Sequence, residues 1–214
     1  MTGKPTYRSD WGDWMKTVED WVHQAVRRRP RDWSGKEWRR LVDLYRISDI
    51  ADASLFDYLH SALRRDKCVR STARLTRIGD WKAPRTKPWL AKNLDRDVSR
   101  VTREAFSMVQ QDPALKNSIA AIKTLWNGLY GIGIPMASTL LTLYDSKHFG
   151  VIDTFGWFCL FNEEDVQITR FRQWEEYLTV IRELAGTHRL ECREIDAALW
   201  YAGTTRRDFA MANQ

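Results

Sequence analysis

Residues 131–155 read GIGIPMASTLLTLYDSKHFGVIDTF and carry the strongest structural signal in the chain. Two glycines lie within a short turn, an apolar run with helical spacing follows, and a single acid, Asp153, stands near the end. Gly131 and Gly133 alternate with isoleucines, which predicts a tight turn between two helices. By itself, an Asp-Thr pair before an apolar run predicts a helix N-cap. The question is whether Asp153 only caps a helix or acts together with the glycine turn.

The glycine turn predicts a helix–hairpin–helix motif over about residues 117–144. Glycine permits backbone angles that other residues resist, and its missing side chain lets a phosphate approach the peptide N–H groups. The free N–H groups and the positive dipole end of the second helix point at the same place, which makes an anion site without sequence preference. We therefore expect Gly131, Ile132 and Gly133 to bind DNA phosphate, although an ordinary glycine C-cap explains the same pattern.

The chain outside this motif predicts an all-α fold. Apolar residues recur at helical spacing, and no stretch alternates with a period of two. The predicted helices cover Ser9 or Asp10 to Arg29, a segment from the capping box of Ser34 and Glu37, residues 53–66, a segment from about Asp95, another from Asp112-Pro113, residues 154–161, Gln173 to Ala185, and Arg193 to Ala202. Residues 79–88 contain Gly79, Pro84 and Pro88 and are predicted to form a loop.

The composition indicates an ordinary globular protein with one compact core or two small lobes. Of the 214 residues, 43% are hydrophobic and 29% are charged, and neither a secretory signal nor a membrane-spanning apolar run is visible. The chain has three cysteines, Cys68, Cys159 and Cys192, which cannot all pair and lack metal-binding spacing. We therefore expect neither a full set of disulfides nor a metal site. A cytoplasmic, monomeric protein is the simplest interpretation.

Basic charge is concentrated in one part of the chain. The formal net charge is +6, yet the stretch from Arg64 to Arg103 alone holds nine Arg and four Lys against four Asp. Such a surplus favours a polyanionic partner, with phosphate as the best-suited group. A solvated basic face, or contact with an acidic protein, explains the same surplus. Trp38, Trp81 and Trp89 lie beside Arg or Lys, which suits stacking on bases, although core packing is the ordinary role of Trp.

The hairpin and Asp153 together resemble a known motif. Residues 131–137, GIGIPMA, resemble the G-V-G-x-K-T-A hairpin of the helix–hairpin–helix DNA glycosylase superfamily, in an endonuclease III-like form. In that family an apolar helix follows, and then a V-D-T segment whose Asp is catalytic. Here residues 151–154 read VIDT, and the 16 residues from Ala137 to Asp153 match the family interval. The detailed resemblance covers roughly residues 124–160.

The resemblance implies two helical lobes that flank a DNA-binding cleft. Residues 46–145 would form the central lobe, and residues 1–45 together with 146–214 would form the other. It also implies a monofunctional DNA glycosylase that flips a damaged or modified base out of double-stranded DNA and hydrolyses its N-glycosidic bond. Base release leaves positive charge on the sugar. A carboxylate ~4 Å away stabilises that charge by about 4 kcal/mol at an effective dielectric near 20, roughly 10³-fold in rate, so Asp153 would be catalytic.

This sequence departs from the family pattern in three places. Family members that also nick DNA carry a Schiff-base lysine where this chain has Pro135, so strong lyase activity through the hairpin is not expected. An iron–sulfur loop needs four clustered cysteines, and no cysteine follows Cys192, so no cluster is expected. Phe155-Gly156-Trp157 stands where an Arg often follows the catalytic Asp. No cofactor is therefore required, and the resemblance implies only a sodium or potassium ion at the hairpin carbonyls.

Further site residues are predicted around Asp153. Trp157 lies one helical turn beyond it and is a candidate wall of the base pocket, as is Trp126, while core packing explains Trp157 equally well. His148, in the loop before Asp153, is a candidate for contact with substrate or phosphate, or else is simply exposed. Lys147 is predicted to contact DNA phosphate. Lys123 and Lys147 both flank the region and could replace the missing hairpin lysine, although a phosphate contact or a solvated side chain explains each of them.

Two other functions stay open. A noncatalytic DNA-binding module could retain the same hairpin, and a helical adaptor with a basic face could bind an acidic protein. The substitution Asp153→Asn separates the enzyme from the module, because only the enzyme would lose base release. A steep fall of DNA affinity with salt would count against the adaptor. The sequence fixes neither the excised base nor a role in repair or in defence against modified foreign DNA.

Overall fold

The computed structural model describes residues 21–48 and 50–212, with side chains as far as Arg206. These residues form helices joined by turns and contain no strand, which confirms the all-α prediction for the described part of the chain. The helices are α1 (described over residues 21–26), α2 (Gly35–Ser48), α3 (Ile50–Asp66), α4 (Thr72–Lys82), α5 (Lys87–Leu90), α6 (Asp95–Gln111), α7 (Leu115–Gly128), α8 (Ile134–Tyr144), α9 (Thr154–Phe161), α10 (Phe171–His188) and α11 (Cys192–Ala212).

The first predicted helix is described only in part. Its predicted cap at Ser9 or Asp10 lies outside the described residues, whereas residues 21–26 are helical and bury Val22, Ala25 and Val26. The helix has ended before Pro30, which opens a short 3₁₀ turn over Pro30–Asp32. The helix thus ends three residues before the predicted end at Arg29, although Pro30 stays outside the α-helix as its ring requires.

Helix α2 begins with the predicted capping box. The Ser34 N–H donates to Glu37 Oε2 at 2.7 Å, and the Glu37 N–H donates to Ser34 Oγ at 3.4 Å. One face of the helix is then buried, and it includes Trp38, Leu41 and Tyr45. Helix α2 packs against α11, so this face joins the N-terminal and C-terminal parts of the described chain.

The predicted loop over residues 79–88 is wrong, because residues 79–82 belong to α4, Pro84–Thr86 form a 3₁₀ turn, and α5 begins at Lys87. Helix α4 continues through Gly79 to Lys82, because Gly79 provides a close helix contact and does not form a turn. A Cβ atom at Gly79 would lie only 2.2 Å from Leu90 Cδ1, so a side chain there would displace Leu90. As a consequence, Trp81 and Lys82 stand on the last turn of a helix and have defined directions.

The start of α7 also differs from its prediction. The helix begins at Leu115 with Ala114 as its N-cap, two residues after Pro113. Asp112 does accept a backbone hydrogen bond, from the Ala114 N–H at 2.9 Å, but this bond closes the turn before the helix. The Asp-Pro pair therefore marks the approach to α7, and the helix N-terminus lies further along the chain.

Helix α8 lies in the middle of the protein, and almost all of its side chains are buried. A helix that is apolar on every face must be covered on every face. Helices α3, α4 and α7 pack against α8, while α11 packs against α2, α9 and α10. One continuous cluster of buried residues links these helices, and α10 also contacts α7. The division into lobes near residues 46 and 146 remains a prediction.

Candidate functional site

Asp153 caps α9, as its sequence context predicts. Its backbone is extended, and its Oδ1 accepts a hydrogen bond from the Gly156 N–H at 2.8 Å. Its Oδ2 accepts a hydrogen bond from the Lys82 ammonium at 2.9 Å. The two side chains are 15% and 16% exposed, respectively. One backbone donor and one side-chain donor thus fix the carboxylate, which still borders open space.

A cavity of about 160 Å³ opens beside this carboxylate, and we call it the Asp153 cavity. Five segments supply its walls: α2, α3, the end of α4, the segment around α9, and α11. The lining residues are Tyr45, Asp52, Trp81, Lys82, Val151, Asp153, Arg193 and Trp200. Three of them are large aromatic residues and four carry charge. Aromatic walls with a few placed polar groups are typical of a site for a small, flat ligand.

Asp52 holds the polar edges of two aromatic walls. The Tyr45 hydroxyl donates to Asp52 Oδ2, and the Trp81 indole N–H donates to Asp52 Oδ1. Tyr45 also meets the Trp200 ring edge-to-face, with ring centroids 6.0 Å apart. One carboxylate and one ring contact therefore set the orientation of the three aromatic walls without any ligand.

Behind these walls, Arg193 belongs to a buried charge network. Its guanidinium donates to Asp196 Oδ2 at 2.6 Å and to the Tyr45 hydroxyl at 2.6 Å. The Tyr177 hydroxyl donates to the other oxygen of this carboxylate, Asp196 Oδ1, at 2.9 Å. The two partners of the carboxylate differ in kind: Arg193 supplies charge, and Tyr177 supplies a neutral hydroxyl. The network therefore ties the cavity wall to the protein interior.

The pKa shifts of this network follow from burial and charge. Burial by itself lowers the pKa of Arg193, but the surrounding negative groups, Asp196 first, outweigh burial and raise it overall. Burial raises the pKa of Asp196, and the Arg193 charge opposes this rise. Burial and then the Asp196 charge raise the pKa of Tyr177 well above its ordinary value. Tyr177 is accordingly a neutral donor at physiological pH.

The turn between α7 and α8 uses its two glycines differently. Gly131 has a φ of +78°, and a Cβ atom there would lie 2.9 Å from Trp89 Cβ. Both the backbone angle and this close contact require glycine. Gly133 has an ordinary φ of −98°, and the nearest atom to a Cβ there would be Pro135 Cδ at 3.9 Å. The fold therefore needs Gly131, whereas Gly133 leaves space in front of the α8 N-terminus.

Two sets of hydrogen bonds fix this turn and connect it to Asp153. Asn93 accepts from the Tyr130 N–H at 2.9 Å through Oδ1 and donates to the Tyr130 carbonyl at 3.0 Å through Nδ2. Ser138 Oγ, one turn into α8, accepts from the Ile152 N–H at 3.2 Å. Ile152 immediately precedes Asp153. The α8 N-terminus therefore lies about 6 Å of helix rise from the residue that anchors the Asp153 segment.

The predicted phosphate contacts of the turn are restricted to its backbone. The side chain of Ile132 is buried in the core, so only its peptide group is available to a ligand. The carbonyl oxygen of Tyr130 already accepts from Asn93, and that of Gly133 accepts from the Ala137 N–H. Fewer carbonyl oxygens are thus left for the sodium or potassium ion that the resemblance implies, and no step below depends on such an ion.

The predicted pocket residues Trp157 and Trp126 do not line the Asp153 cavity. Trp157 is buried, its indole N–H donates to Glu163 Oε2 at 3.1 Å, and its ring packs 4.2 Å from that of Phe161. One helical turn beyond the Asp153 cap, the side chain points into the core. Core packing therefore explains Trp157, and a place in the pocket wall does not. Trp126 lies on α7 with its ring 5.1 Å from the Phe171 ring and is 40% exposed.

Lys147 and His148 lie in a different depression, which we call the Lys147 groove. It has a volume of about 750 Å³ and is lined by Lys147, His148, Arg182, Ala185, Gly186, Arg189, Leu190, Glu191, Cys192 and Glu194. His148 Nδ1 lies 2.8 Å from Asp145 Oδ2, and Arg182 donates to the His148 carbonyl at 3.0 Å. The structure therefore links the Asp153 segment to α8 through the bond between Ser138 and Ile152, whereas Lys147 and His148 line a separate groove.

Sequence reasoning missed most of the cavity wall. Trp81 was noticed because it stands beside a lysine, but the supposed loop over residues 79–88 gave it and Lys82 no direction. Tyr45 is predicted only as an apolar position of α2, and Asp52 has no motif around it. Arg193 and Trp200 lie in a segment that resembles a closing helix of the family and is interpreted as packing. These residues lie far apart in the sequence, on separate helices, and only tertiary packing brings them together. No local pattern in the sequence could have identified them.

Within the described part of the chain, no group of three or more His, Cys, Asp or Glu side chains is placed to hold a metal ion. None of the described helices is long and apolar enough to span a membrane. The resemblance to helix–hairpin–helix glycosylases rests on the residues quoted above. Comparison of this chain with protein-family models, with curated proteins and with solved structures finds no match.

Proposed function

We propose that this protein is a DNA N-glycosylase that hydrolyses the bond between a flipped base and its sugar at Asp153. One observation carries the proposal. A carboxylate fixed at a helix N-terminus borders an aromatic-walled cavity and is hydrogen-bonded, through its neighbour Ile152, to the helix that begins at the glycine turn. A phosphate site and a group that stabilises a sugar cation are both needed within one nucleotide of each other.

The charges at the cavity suit a reaction that builds positive charge. Asp52 and Asp153 in the wall, with Asp196 behind it, oppose Lys82 and Arg193, so three carboxylates face two cations and leave one formal negative charge. A single carboxylate ~4 Å from the sugar contributes about 4 kcal/mol at an effective dielectric near 20. The Lys82 ammonium beside Asp153 reduces this contribution, so we expect a rate effect of roughly 10² to 10³-fold.

The aromatic walls suit a base that has left the DNA stack. Stacking of a base on an aromatic ring contributes about 1–3 kcal/mol and tolerates any base, because every base has a π-face. The polar edges of Tyr45 and Trp81 are held by Asp52, and the Arg193 guanidinium lies over one face of each ring, so a base would stack on an opposite face. This arrangement supports base flipping and leaves the choice of base to the groups at the cavity edge.

Phosphate recognition would combine the glycine turn with a basic helix face. Arg96, Arg100 and Arg103 follow one face of α6 and are exposed, although Asp97 pairs with the first two. Helix α6 begins two residues after Asn93, the side chain that holds the turn, so this face continues from the turn along the surface. Backbone amides and arginines that lie along one surface are suited to one strand of DNA phosphates.

Water is the proposed nucleophile for base release. Pro135 stands where lyase members of the resembled family carry lysine, and a proline nitrogen within the chain has no free amine to attack the sugar. Asp153 Oδ2 faces the cavity edge and can take a proton from water once a substrate displaces Lys82 from it. The expected product is DNA with an abasic site.

Duplexes that each contain one modified base provide the test. The protein is incubated with the panel, which includes uracil, alkylated, oxidised and bulky modified cytosine bases, and abasic sites are detected by alkaline cleavage. We expect release of at least one base, reduced roughly 10² to 10³-fold by Asp153→Asn, which keeps an N-cap acceptor. The matched control Asp145→Asn changes a carboxylate of α8's C-cap outside the cavity and should act like the wild type.

The main competing function is a noncatalytic DNA-binding module. The Lys82–Asp153 ion pair favours it, because a pair of opposite charges can serve structure alone. In that case no duplex of the panel would lose a base, and Asp153→Asn would bind DNA as the wild type does. A DNA affinity that does not fall as salt rises would instead favour the adaptor and oppose both DNA functions.

A further inference from the structure

Lys82 is the residue of the Asp153 cavity whose presence base release does not explain. It is the last residue of α4, its side chain is 16% exposed, and its ammonium contacts the Asp153 carboxylate at 2.9 Å. A cation at this position opposes positive charge on a nearby sugar, so hydrolysis alone would proceed better without it. Nor is it needed to hold Asp153 in place, because the Gly156 N–H already fixes the other carboxylate oxygen.

The chemistry of an amine supplies a role. A lysine held in a partly buried site beside a carboxylate is suited to form a Schiff base with a carbonyl compound. The product of the proposed reaction is such a compound, because the sugar of an abasic site opens to an aldehyde at C1′. Among the lysines of the described chain, Lys82 is the one in the cavity wall, whereas Lys147 lies in the other groove.

We propose that Lys82 attacks C1′ of an abasic site and gives this protein a second activity, cleavage of the DNA strand at that site. The proposal rests on the proposed function for its natural substrate, but the activity itself requires only abasic DNA. It places the lyase amine on α4, at a site separate from the hairpin, where Pro135 excludes an amine.

Each step conserves atoms and electrons. Asp153 Oδ2 takes a proton from the Lys82 ammonium, the free amine forms a bond to C1′, and the aldehyde oxygen leaves as water after Asp153 returns the proton. This leaves a positively charged imine and an ionised Asp153. The carboxylate then removes a proton from C2′, and the electron pair moves toward the imine nitrogen. From there it expels the C3′ oxygen, so the 3′ portion of the strand departs with a 5′-phosphate. Asp153 passes the C2′ proton to the departing phosphate, and water finally hydrolyses the imine, which restores the Lys82 ammonium.

The geometry fits one carboxylate serving both halves of this sequence. Asp153 already contacts the amine, and C1′ and C2′ are adjacent sugar atoms, so a sugar placed at the cavity mouth presents both to the same pair of side chains. Tyr45 and Arg193 lie deeper in the network and hold each other, which leaves Lys82 as the nucleophile. In this arrangement Asp153 is a catalytic residue for both reactions, and Lys82 is catalytic only for the second.

The experiment uses a synthetic duplex with one abasic site, so base release is not needed. Sodium borohydride reduces an imine to a stable amine, and the wild type should form a covalent protein–DNA adduct whose peptide map locates the bond at Lys82. Lys82→Arg keeps the ion pair with Asp153 but removes the nucleophile, so we expect at least a 100-fold loss of adduct and of strand cleavage. The control Lys36→Arg changes an exposed lysine of α2 that lies outside the cavity and should behave as the wild type.

Several outcomes would overturn the proposal. The first is that the wild type forms no covalent adduct with abasic DNA. The second is an adduct whose peptide map places the bond at another amine, such as the N-terminus. The third is that Lys82→Arg forms as much adduct as the wild type. Mapping on the wild type does not depend on any variant folding, and the thermal unfolding of Lys82→Arg shows whether the fold persists. Failure of the two proposals is also distinguishable: trapping of abasic DNA without release of any base would refute the glycosylase, whereas base release without trapping would refute the lyase.

Discussion

The Asp153 cavity and the Lys147 groove are two charged depressions that differ in how their charges are held. The cavity has a volume of about 160 Å³ and three large aromatic walls, whereas the groove has about 750 Å³ and no Trp, Tyr or Phe among its described lining residues. In the cavity, Arg193 is held by Asp196 and Tyr45. In the groove, Arg182 is held by the carbonyls of His148 and Pro113.

This difference indicates which of the two depressions is better suited to a chemical reaction. The charges of the cavity depend on one another, so each is oriented by a partner of opposite sign, as preorganised sites require. Arg182, a partly buried cation of the groove, is oriented by neutral backbone oxygens, and burial lowers its pKa. This contrast supports the cavity as the place of the proposed reaction, and the following predictions test the contrast.

The largest expected effect on stability comes from removing the buried arginine of the cavity. Arg193→Met leaves the buried Asp196 carboxylate without its cation, and we expect a loss of about 3–5 kcal/mol in the free energy of unfolding. Arg182→Met leaves only two carbonyls unsatisfied, and we expect a loss of roughly 1–3 kcal/mol. Urea unfolding of both variants measures the difference. Equal losses would remove the distinction between the two depressions.

A smaller effect on stability is expected from substitution of the two glycines in the turn between α7 and α8. Gly131→Ala forces a positive φ on alanine and a clash with Trp89, so we expect a loss of about 1–3 kcal/mol of stability. Gly133→Ala should leave stability within about 0.5 kcal/mol of the wild type, because its Cβ meets open space. The new methyl group would stand before the α8 N-terminus, so this variant should bind duplex DNA several-fold more weakly. Fluorescence anisotropy measures this, and unchanged affinity would exclude the turn as a phosphate site.

The smallest expected effect is on the pH dependence of stability, and it comes from the buried thiol of Cys192, which lines the Lys147 groove. Burial raises the pKa of Cys192 to about 12, from an ordinary value of 9.0. The unfolded chain therefore loses this proton at lower pH than the folded protein, so the contribution is complete below pH 9 and is lost as pH rises toward about 12. Between pH 8.5 and 10, the wild type should lose roughly 1 kcal/mol more stability than Cys192→Ala. An identical pH dependence in the two proteins would show that the thiol is not shielded.

Much of the fold was predictable because its signals are local. The capping box of Ser34 and Glu37 and the N-cap at Asp153 involve residues three apart, so the sequence contains both partners of each hydrogen bond. Apolar spacing likewise predicted the buried faces of α2 and α6. The predicted loop at Gly79 failed for the opposite reason. This glycine serves a contact with Leu90 in the folded protein, and composition alone made it look like a turn.

The candidate site was predictable only where it is continuous in the chain. Gly131, Gly133 and Asp153 lie on one short segment, and their spacing carried the prediction. The aromatic walls come from three separate helices, and no local rule ranks Trp200 above Trp157 as a wall. Trp157 is a candidate only because it is near Asp153 in the sequence, and core packing, the alternative interpretation, describes its buried side chain.

The hydrogen bond between Lys82 and Asp153 joins residues 71 positions apart. An excised peptide that spans the hairpin and the acid would therefore keep the recognisable signature and lose the amine along with the rings that enclose it. Substitutions at the C-terminal end of α4, where Lys82 lies, would likewise change the proposed reactivity while the glycine turn and the acid stay the same. If the proposed lyase step is correct, two chains with the same glycine turn and the same acid would differ in whether they leave a strand whole or broken.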